Sequence, residues 1–272
     1  MGRELFGFEN KRVLVVGGAT GMGAAAAQLA GELGGEVHVL DVADVAYPCD
    51  EALRVDLSEK ASVDEALGKL EGPFHALFSC AGIFDGPSVM RVNFIAQRHI
   101  VDSMVADGRL GSGSAVAMIS SIGGAGWQAQ LDVAKEFLAN ATWESMDRWV
   151  EGHEGTNNYT FSKVAMNTYV AAQAFEFAKR RMRINAVMPG GTDTPLAHKH
   201  PDTWLPFQGD YRAATGLPHL TPEQMGNVVA FLCMDAASGV NGTTVVVDDG
   251  YIASHVAGTF ESETVRMLLG GG

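Results

Sequence analysis

Tyr159 and Lys163 stand one helical turn apart in Tyr159-Thr160-Phe161-Ser162-Lys163. On a helix, positions i and i+4 share a face, so the spacing sets an ammonium beside a phenol. A neighbouring positive charge favours the phenolate and lowers a tyrosine pKa from its ordinary value of about 10. A phenol tuned in this way takes a proton from an alcohol or gives one to a carbonyl. Near the N-terminus, Gly17-Gly18-Ala19-Thr20-Gly21-Met22-Gly23 offers a second chemistry. Its glycines allow a tight turn and bring backbone N–H groups against a pyrophosphate, and a following helix adds partial positive charge.

These residues need elements to hold them. Short apolar runs at 13–16, 37–40, 53–55, 76–79, 115–119, 184–187 and 243–247 read as strands. The first six are apolar without strict alternation, which predicts strands buried on both faces. Helical stretches at 22–33, 59–70, 89–105, 159–179 and 222–234 separate them. The last has a clear start: Thr221 as cap, Pro222 at the first helical position and Gln224 three residues after the cap. Such alternation predicts an α/β fold, a single-domain Rossmann-type doubly wound parallel sheet of about seven strands with helices on both faces.

The strand at 13–16 runs into the glycine turn and a helix follows, the context that makes a dinucleotide fingerprint credible. Asp41 ends the second strand, roughly 20 residues past the turn, where a carboxylate accepts ribose hydroxyls. It would repel a 2′-phosphate, and neither Thr20 nor any close neighbour of Asp41 is basic. The expected cofactor is therefore NAD rather than NADP. Asp56, before Leu57, could meet an adenine amino group or serve as a capping neighbour of Ser58, and the sequence does not separate the two. Cys80-Ala81-Gly82 closes the fourth strand with small residues, suited to a flat ligand or to a simple turn.

The whole chain, 1–272, is expected to be one domain, because any cut would split the alternation. Two segments break the rhythm. Residues 122–158 carry Trp127, Trp143 and Trp149, and the proline-rich loop 192–220 carries Trp204, Phe207 and Tyr211. These aromatic residues either wall an apolar substrate site or pack the segments onto the body or a second subunit. A tail spans 254–272, with fraying expected at Gly270-Gly271-Gly272.

Composition excludes several classes. The 272 residues are 47% hydrophobic, enough for a large core, and carry a net charge of −13. Nucleic-acid binding needs clustered Lys and Arg, so nucleic acid and anionic membranes are not expected partners. Three scattered cysteines, Cys49, Cys80 and Cys233, form no metal or disulfide pattern and fit a reducing compartment. Cys80 reads as a small buried residue. The eight histidines show no ligand spacing, and His198 and His200 read as surface residues. No metal is expected. No run approaches a membrane span of about 18 apolar residues, and the charged N-terminus is unlike a signal peptide, so the expected location is cytoplasmic.

The ordered motifs resemble the short-chain dehydrogenase/reductases over nearly the whole chain. Gly17, Gly21 and Gly23 match that family's glycine turn, with Thr20 and Met22 inside it. Asp56-Leu57 matches its adenine-side pair, and Cys80-Ala81-Gly82 stands where Asn-Ala-Gly is usual. Asn93 matches its helix asparagine, Ser121 its strand serine, and Tyr159 with Lys163 its catalytic pair. Ser120 and Ser121 could also both be strand-end caps. Pro189 and Gly190 with Thr192 and Thr194 match the loop on the nicotinamide side. Val247-Asp248-Asp249-Gly250 looks like the family's C-terminal signature, with Asp249 replacing a common glycine.

The stretch between Ser121 and Tyr159 is much longer than usual for the family. With the Thr192–Leu196 run, it resembles bacterial 3α-hydroxysteroid dehydrogenase/carbonyl reductases and some aromatic alcohol dehydrogenases. The resemblance implies a catalytic set of Ser121, Tyr159, Lys163 and Asn93. Tyr159 would move the hydroxyl proton, Ser121 would bond the substrate oxygen, Lys163 would bind the nicotinamide ribose, and Asn93 would hold a water leading to solvent. It implies an oxidoreductase interconverting a bulky secondary alcohol and ketone, in a homodimer or homotetramer whose usual contact the insertion would alter. An epimerase or dehydratase that uses NAD transiently, or a non-catalytic NAD-binding regulator, would share the fold. The retained Tyr, Lys, Ser and Asn speak against the regulator.

Overall fold

The computed structural model describes residues 4–270. Residues 1–3, part of the charged N-terminus, and Gly271 and Gly272, where fraying is expected, lie outside the described residues. Strands β1 (Arg12–Val16), β2 (Glu36–Asp41), β3 (Glu51–Arg54), β4 (Phe74–Ser79), β5 (Leu110–Ile119), β6 (Arg183–Pro189) and β7 (Thr244–Val247) form one parallel sheet in the order 3-2-1-4-5-6-7. The order reverses between β1 and β4, so the chain leaves neighbouring strand ends in opposite directions and opens a crevice there.

Alternate residues of the central strands feed two cores. On one face Val13, Val15, Val37, Val39, Phe78 and Ala117 pack against α1 (Gly21–Glu32) and α10 (Pro222–Cys233). On the other, Leu14, Val16, Leu40, Leu77, Val116 and Met118 meet α2 (Lys60–Lys69), α3 (Ala96–Ala106) and α6 (Tyr159–Lys179). Helix α1 is rich in alanine, and α10 approaches it backbone to backbone: a Cβ at Gly226 would lie 2.8 Å from Ala26 N. The box at Thr221 forms, with Gln224 N donating to Thr221 Oγ1 and Thr221 N donating to Gln224 Oε1.

Three expectations are corrected. Strand β3 is half-buried and exposed by turns, because it is the sheet's edge and α2 covers one side only. The helix expected over 89–105 contains a π-helical turn at Arg91–Ile95 before α3, a wide turn of the kind that clusters at functional sites. Cys80 is half-buried rather than sealed in the core.

The long stretch after β5 folds as α4 (Leu131–Leu138) and α5 (Trp143–Gly152), resting on α6 and the π-helical turn. Trp143 and Trp149 belong to the core rather than to a substrate wall. The Trp149 ring lies 5.1 Å from Phe137 and stacks at 5.8 Å on Phe161, and its Nε1 donates to Glu136. The loop after β6 carries α7 (Pro195–Lys199), α8 (Pro201–Trp204) and α9 (Gly209–Thr215). The tail is anchored by α11 (Tyr251–Val256) and α12 (Glu263–Leu268), with Val265 fully buried in a third cluster with Ile122, Met188, Tyr211 and Tyr251. Among the described residues, no helix is long and apolar enough to cross a membrane.

Replacing Trp149 with alanine should lower the unfolding free energy by about 3–5 kcal/mol, read by urea denaturation. An unchanged midpoint together with a raised KM would return Trp149 to the substrate wall.

Candidate functional site

The glycine turn sits at the reversal point of the sheet, and its geometry leaves no room for side chains at Gly17 and Gly23. Gly17 has φ +80°, and a Cβ there would meet the Ala81 backbone at 2.4 Å. A Cβ at Gly23 would lie 2.0 Å from Gly17 O. Gly21, at φ +59°, opens α1 in a left-handed conformation that favours glycine. Thr20 is the N-cap of α1, yet its side chain makes no capping bond and the first turn holds no acidic residue. The first N–H groups of α1 are thus left for an outside acceptor, as an anion site requires.

Asp41 stands beside this turn. Its Oδ2 accepts from Ala19 N at 2.8 Å and its Oδ1 from Ala43 N at 2.9 Å, which fixes the carboxylate at the end of β2. Tyr47, a residue that sequence reasoning passed over, donates its hydroxyl to Gly18 O at 2.5 Å and braces the turn from below. Burial pushes the Tyr47 phenol well up, and the Asp41 carboxylate adds to this, so it stays a donor. Asp56 turns its carboxylate to Ser58, accepting from Ser58 N at 2.9 Å and Ser58 Oγ at 2.7 Å, and Leu57 is buried in the core. These bonds are local, and the N-cap of α2 is Glu59, which has no side-chain capping bond.

The segment Cys80-Ala81-Gly82 is held from beneath by Gln97, a second residue the sequence did not flag. Gln97 Nε2 donates to Ala81 O at 2.8 Å, and its Oε1 accepts from Ser79 Oγ. Burial pushes the Cys80 thiol up to about 12, so it stays protonated. Asn93 lies in the π-helical turn with its side chain wholly engaged: Ile83 N donates to its Oδ1, and its Nδ2 donates to Ile83 O and Ser162 Oγ. Gly82 sits between Asn93 and Lys163, its Cβ position 3.6 Å from Asn93 Oδ1 and 3.9 Å from Lys163 Nζ.

Helix α6 starts at Tyr159 because Asn158 caps it, accepting from Phe161 N at 2.9 Å. Lys163 is buried, and its Nζ donates to Ile119 O at 2.8 Å. Ser121 and Tyr159 converge on Gly123, whose Cβ position is 3.4 Å from Tyr159 Cε1 and 3.5 Å from Ser121 Oγ. Ser121 Oγ also accepts from Gly123 N, so the cap role coexists with contact to the phenol.

The expected effect of Lys163 on Tyr159 is corrected. Lys163 Nζ lies 5.5 Å above the Tyr159 ring and points to Ile119 O rather than to the hydroxyl. Burial raises the Tyr159 pKa above its ordinary value, and the Ser121 hydrogen bond only partly opposes this. Burial also lowers the Lys163 pKa to about 8.

On the far side, Gly190 and Gly191 follow Pro189 at the end of β6. Gln208 is buried with φ +60° and accepts from Gly191 N at 2.6 Å through its Oε1, so it ties the loop to the strand end. Thr192 Oγ1 donates to Gly190 O, and Thr194 caps α7 by accepting from Ala197 N. Asp249 explains the unusual signature: its φ of +56° lies where glycine is favoured, and aspartate tolerates it. Above Tyr159 lies an aromatic wall. Phe84 is 5.5 Å and Trp204 5.5 Å from the Tyr159 ring, and Phe207 is 5.9 Å from Trp204. Trp204 and Phe207 thus stand at the site, whereas Tyr211 packs on Tyr251 and Phe260. His200 also faces the site, 5.1 Å from Phe84, while His198 stays exposed against Asp193.

A family model described as enoyl-(acyl carrier protein) reductase matches residues 17–252. Coniferyl-alcohol dehydrogenase of Pseudomonas sp. (strain HR199 / DSM 7063) is 24% identical over 257 residues, covering 91% of this chain and 98% of its own. The 3-alpha-hydroxysteroid dehydrogenase/carbonyl reductase of Comamonas testosteroni is 28% identical over 254 residues, covering 88% and 95%. The crystal structure of the 3-alpha-hydroxysteroid dehydrogenase from Pseudomonas sp. B-0831 complexed with NADH has a TM-score of 0.72 at 25% identity, covering 92% of this chain and 100% of that one.

The depressed lysine sets a pH dependence. Between about pH 8 and the ordinary lysine value of 10.5 the unfolded chain binds more protons than the folded one, so stability rises with pH across that window. Below it, the cost of the buried cation is complete. Lys163→Met should therefore stabilise the ligand-free protein at pH 7 by about 1–3 kcal/mol, and the gain should shrink as pH rises toward 10. Chemical denaturation at several pH values reads this, and a destabilised variant at pH 7 would refute the account.

Proposed function

The chain belongs to the short-chain dehydrogenase/reductase family, and on that premise we propose that it is an NAD(H)-dependent oxidoreductase interconverting a bulky apolar secondary alcohol and its ketone. The observation that carries the proposal is the convergence of the Tyr159 ring and the Ser121 hydroxyl on one point beside buried Lys163, under an aromatic wall.

The residues present fit a dinucleotide. The uncapped start of α1, the close-packed Gly17 and Gly23 and the left-handed Gly21 would hold its pyrophosphate, and Asp41 its adenosine ribose. The carboxylate, with no basic residue beside it in sequence, supports NAD over NADP. Cys80, Ala81 and Gly82 would line the flat part, and Pro189, Gly190, Thr192 and Thr194 the nicotinamide end. When bound, the nicotinamide supplies the hydride acceptor or donor.

The chain's own groups handle the proton and the substrate. Ser121 Oγ would donate to the substrate oxygen as charge grows on it. Tyr159 would take the hydroxyl proton in oxidation and return it in reduction, a contribution of roughly 10²–10⁴-fold. With its phenol raised by burial, Tyr159 stays protonated at neutral pH, which suits proton donation to a carbonyl. Lys163, with Asn93 next to it across Gly82, would bind the nicotinamide ribose and link the site to solvent. Phe84, Trp204 and Phe207 would exclude water and favour a steroid or aryl substrate, the classes named in the relatives above.

We further propose a homodimer or homotetramer, altered where α4 and α5 cover part of α6, and a cytoplasmic setting, which three free cysteines suit.

Tyr159→Phe should lower kcat by roughly 10²–10⁴-fold while leaving NADH binding, read by fluorescence, within about twofold. Retained turnover would overturn the assignment. Asp41→Ser should relax the preference for NAD⁺ over NADP⁺ by roughly tenfold or more in kcat/KM; an unchanged ratio would remove Asp41 from cofactor choice.

A further inference from the structure

Gln97, on the first turn of α3, is fully buried, and both ends of its amide are engaged. Its Nε2 donates to Ala81 O at 2.8 Å and to Val92 O at 2.9 Å, and its Oε1 accepts from Ser79 Oγ at 2.5 Å. Two carbonyls facing the nitrogen leave the amide a single orientation, because only the NH₂ end can donate to both. Burying an amide is costly unless it is bonded in this way, so the residue marks a place where the fold needs polar bonds in an apolar setting.

Its partners belong to two segments that must meet beside the site. Ser79 ends β4, and Ala81 lies in the Cys80-Ala81-Gly82 segment. Val92 lies in the π-helical turn, where Ala96 N donates to Arg91 O, five residues back, whereas an α-helix would give that N–H to Val92 O. Gln97 supplies a donor to Val92 O and, with the same nitrogen, one to Ala81 O. Further along, Asn93 adds a second stitch: Ile83 N donates to its Oδ1, and its Nδ2 donates to Ile83 O. Gly82 is held between the two stitches, with its Cβ position 3.9 Å from Lys163 Nζ. A shift of this backbone is therefore a shift of the surface beside the buried ammonium.

We propose that Gln97 is a positioning residue for the nicotinamide half of the dinucleotide, fixing the backbone of residues 80–82 against the π-helical turn and Lys163. The proposal rests on the cofactor placement above and deepens it. Without the Gln97 amide, Ala81 O and Val92 O each lose a donor. Buried carbonyls do not stay unpaired without cost, so the segment and the turn part to find other donors, and the seat beside Lys163 loosens. A seat that is misplaced by even a small distance forfeits binding and orientation of the group that rests on it. The adenosine half would rest on Asp41 at the end of β2, outside the reach of this change.

The test measures dissociation constants of NADH by fluorescence and of AMP by calorimetry for wild type, Gln97→Met and Ser79→Ala, with circular dichroism to confirm folding. Methionine keeps the length of the side chain and removes both donors. Gln97→Met should weaken NADH by roughly tenfold and leave AMP within about threefold. Ser79→Ala removes one bond from the same buried cluster but keeps both donations to the carbonyls. It should lower the unfolding midpoint and leave NADH affinity within about twofold. Gln97→Asn keeps an amide but draws it back along the chain; it should shift NADH the same way by a smaller factor, and it carries the reading where the methionine variant does not fold. Equal losses of NADH and AMP affinity in Gln97→Met, or an equal NADH loss in Ser79→Ala, make Gln97 a general packing residue and overturn the proposal. NADH affinity unmoved by Gln97→Met overturns it too. A wild type that binds no dinucleotide overturns it together with the cofactor placement. A wild type that oxidises no alcohol, with NADH weakened selectively in Gln97→Met, leaves the positioning role standing and counts against the dehydrogenase.

Discussion

One buried ammonium organises the site. Lys163 leaves water for a pocket in which its protein partner is the carbonyl of Ile119, at the end of β5. Reaching it requires α6 to lie hard against the turn after β5, and Gly124 makes that possible. A Cβ at Gly124 would lie 2.9 Å from the Lys163 carbonyl carbon and 3.0 Å from its Cβ. Neutral partners cannot fully offset the lost hydration of a cation, so the lysine responds with a pKa depressed to about 8. The same low-polarity setting raises the phenol of Tyr159. Both groups are held away from their relaxed protonation behaviour by the same burial, a pattern that marks functional sites.

The anion side uses a different device, and the charge of the chain explains why. A chain of net charge −13 offers a dinucleotide little long-range attraction. What it offers instead is backbone: the open first turn of α1, the left-handed Gly17 and Gly21, and the approach of Ala81 to Gly17. Asp41 and Tyr47 hold this turn from two sides by bonds to Ala19 and Gly18. The carboxylate therefore has a structural task as well as the one proposed for it. A turn braced in advance loses little entropy when an anion arrives.

Much of this was legible in the sequence because it is local. The glycine turn between a strand and a helix, the Thr221–Gln224 box and the α6 span follow from patterns within a few residues. The parallel sheet of seven strands and the two-faced core follow from the alternation of elements. What escaped depends on contacts between distant segments. The phenol's shift needed the position of Ile119 O, far from Lys163 in sequence, to show that the ammonium points elsewhere. Trp143 and Trp149 carried the same composition signal as Trp204, yet two lie in the core and one at the site. The π-helical turn around Asn93 left no mark in an otherwise regular helical pattern, and the partners of Asn93, Ile83 and Ser162, lie in other segments.

The loop after β6 and the C-terminal tail behave as one structural unit, and this bears on how specificity could change without disturbing catalysis. Gln208 bridges Gly191 and Asp248, and Tyr211 donates to Asp249 O, so the loop is bound to the segment that follows β7. Asp248 in turn accepts from Gly250 N and Ile252 N, setting the start of α11, and α12 buries Val265 against the turn after Ser121. The proton-handling residues stand on α6 and the end of β5, inside the main core. The aromatic wall instead belongs to this outer unit, apart from Phe84. Substitutions in the unit that leave its packing on Ile122 intact can reshape the pocket while Tyr159, Ser121 and Lys163 keep their positions, because the aromatic wall meets Tyr159 through ring contacts. A fold divided in this way keeps its chemistry fixed and leaves its substrate choice open to change.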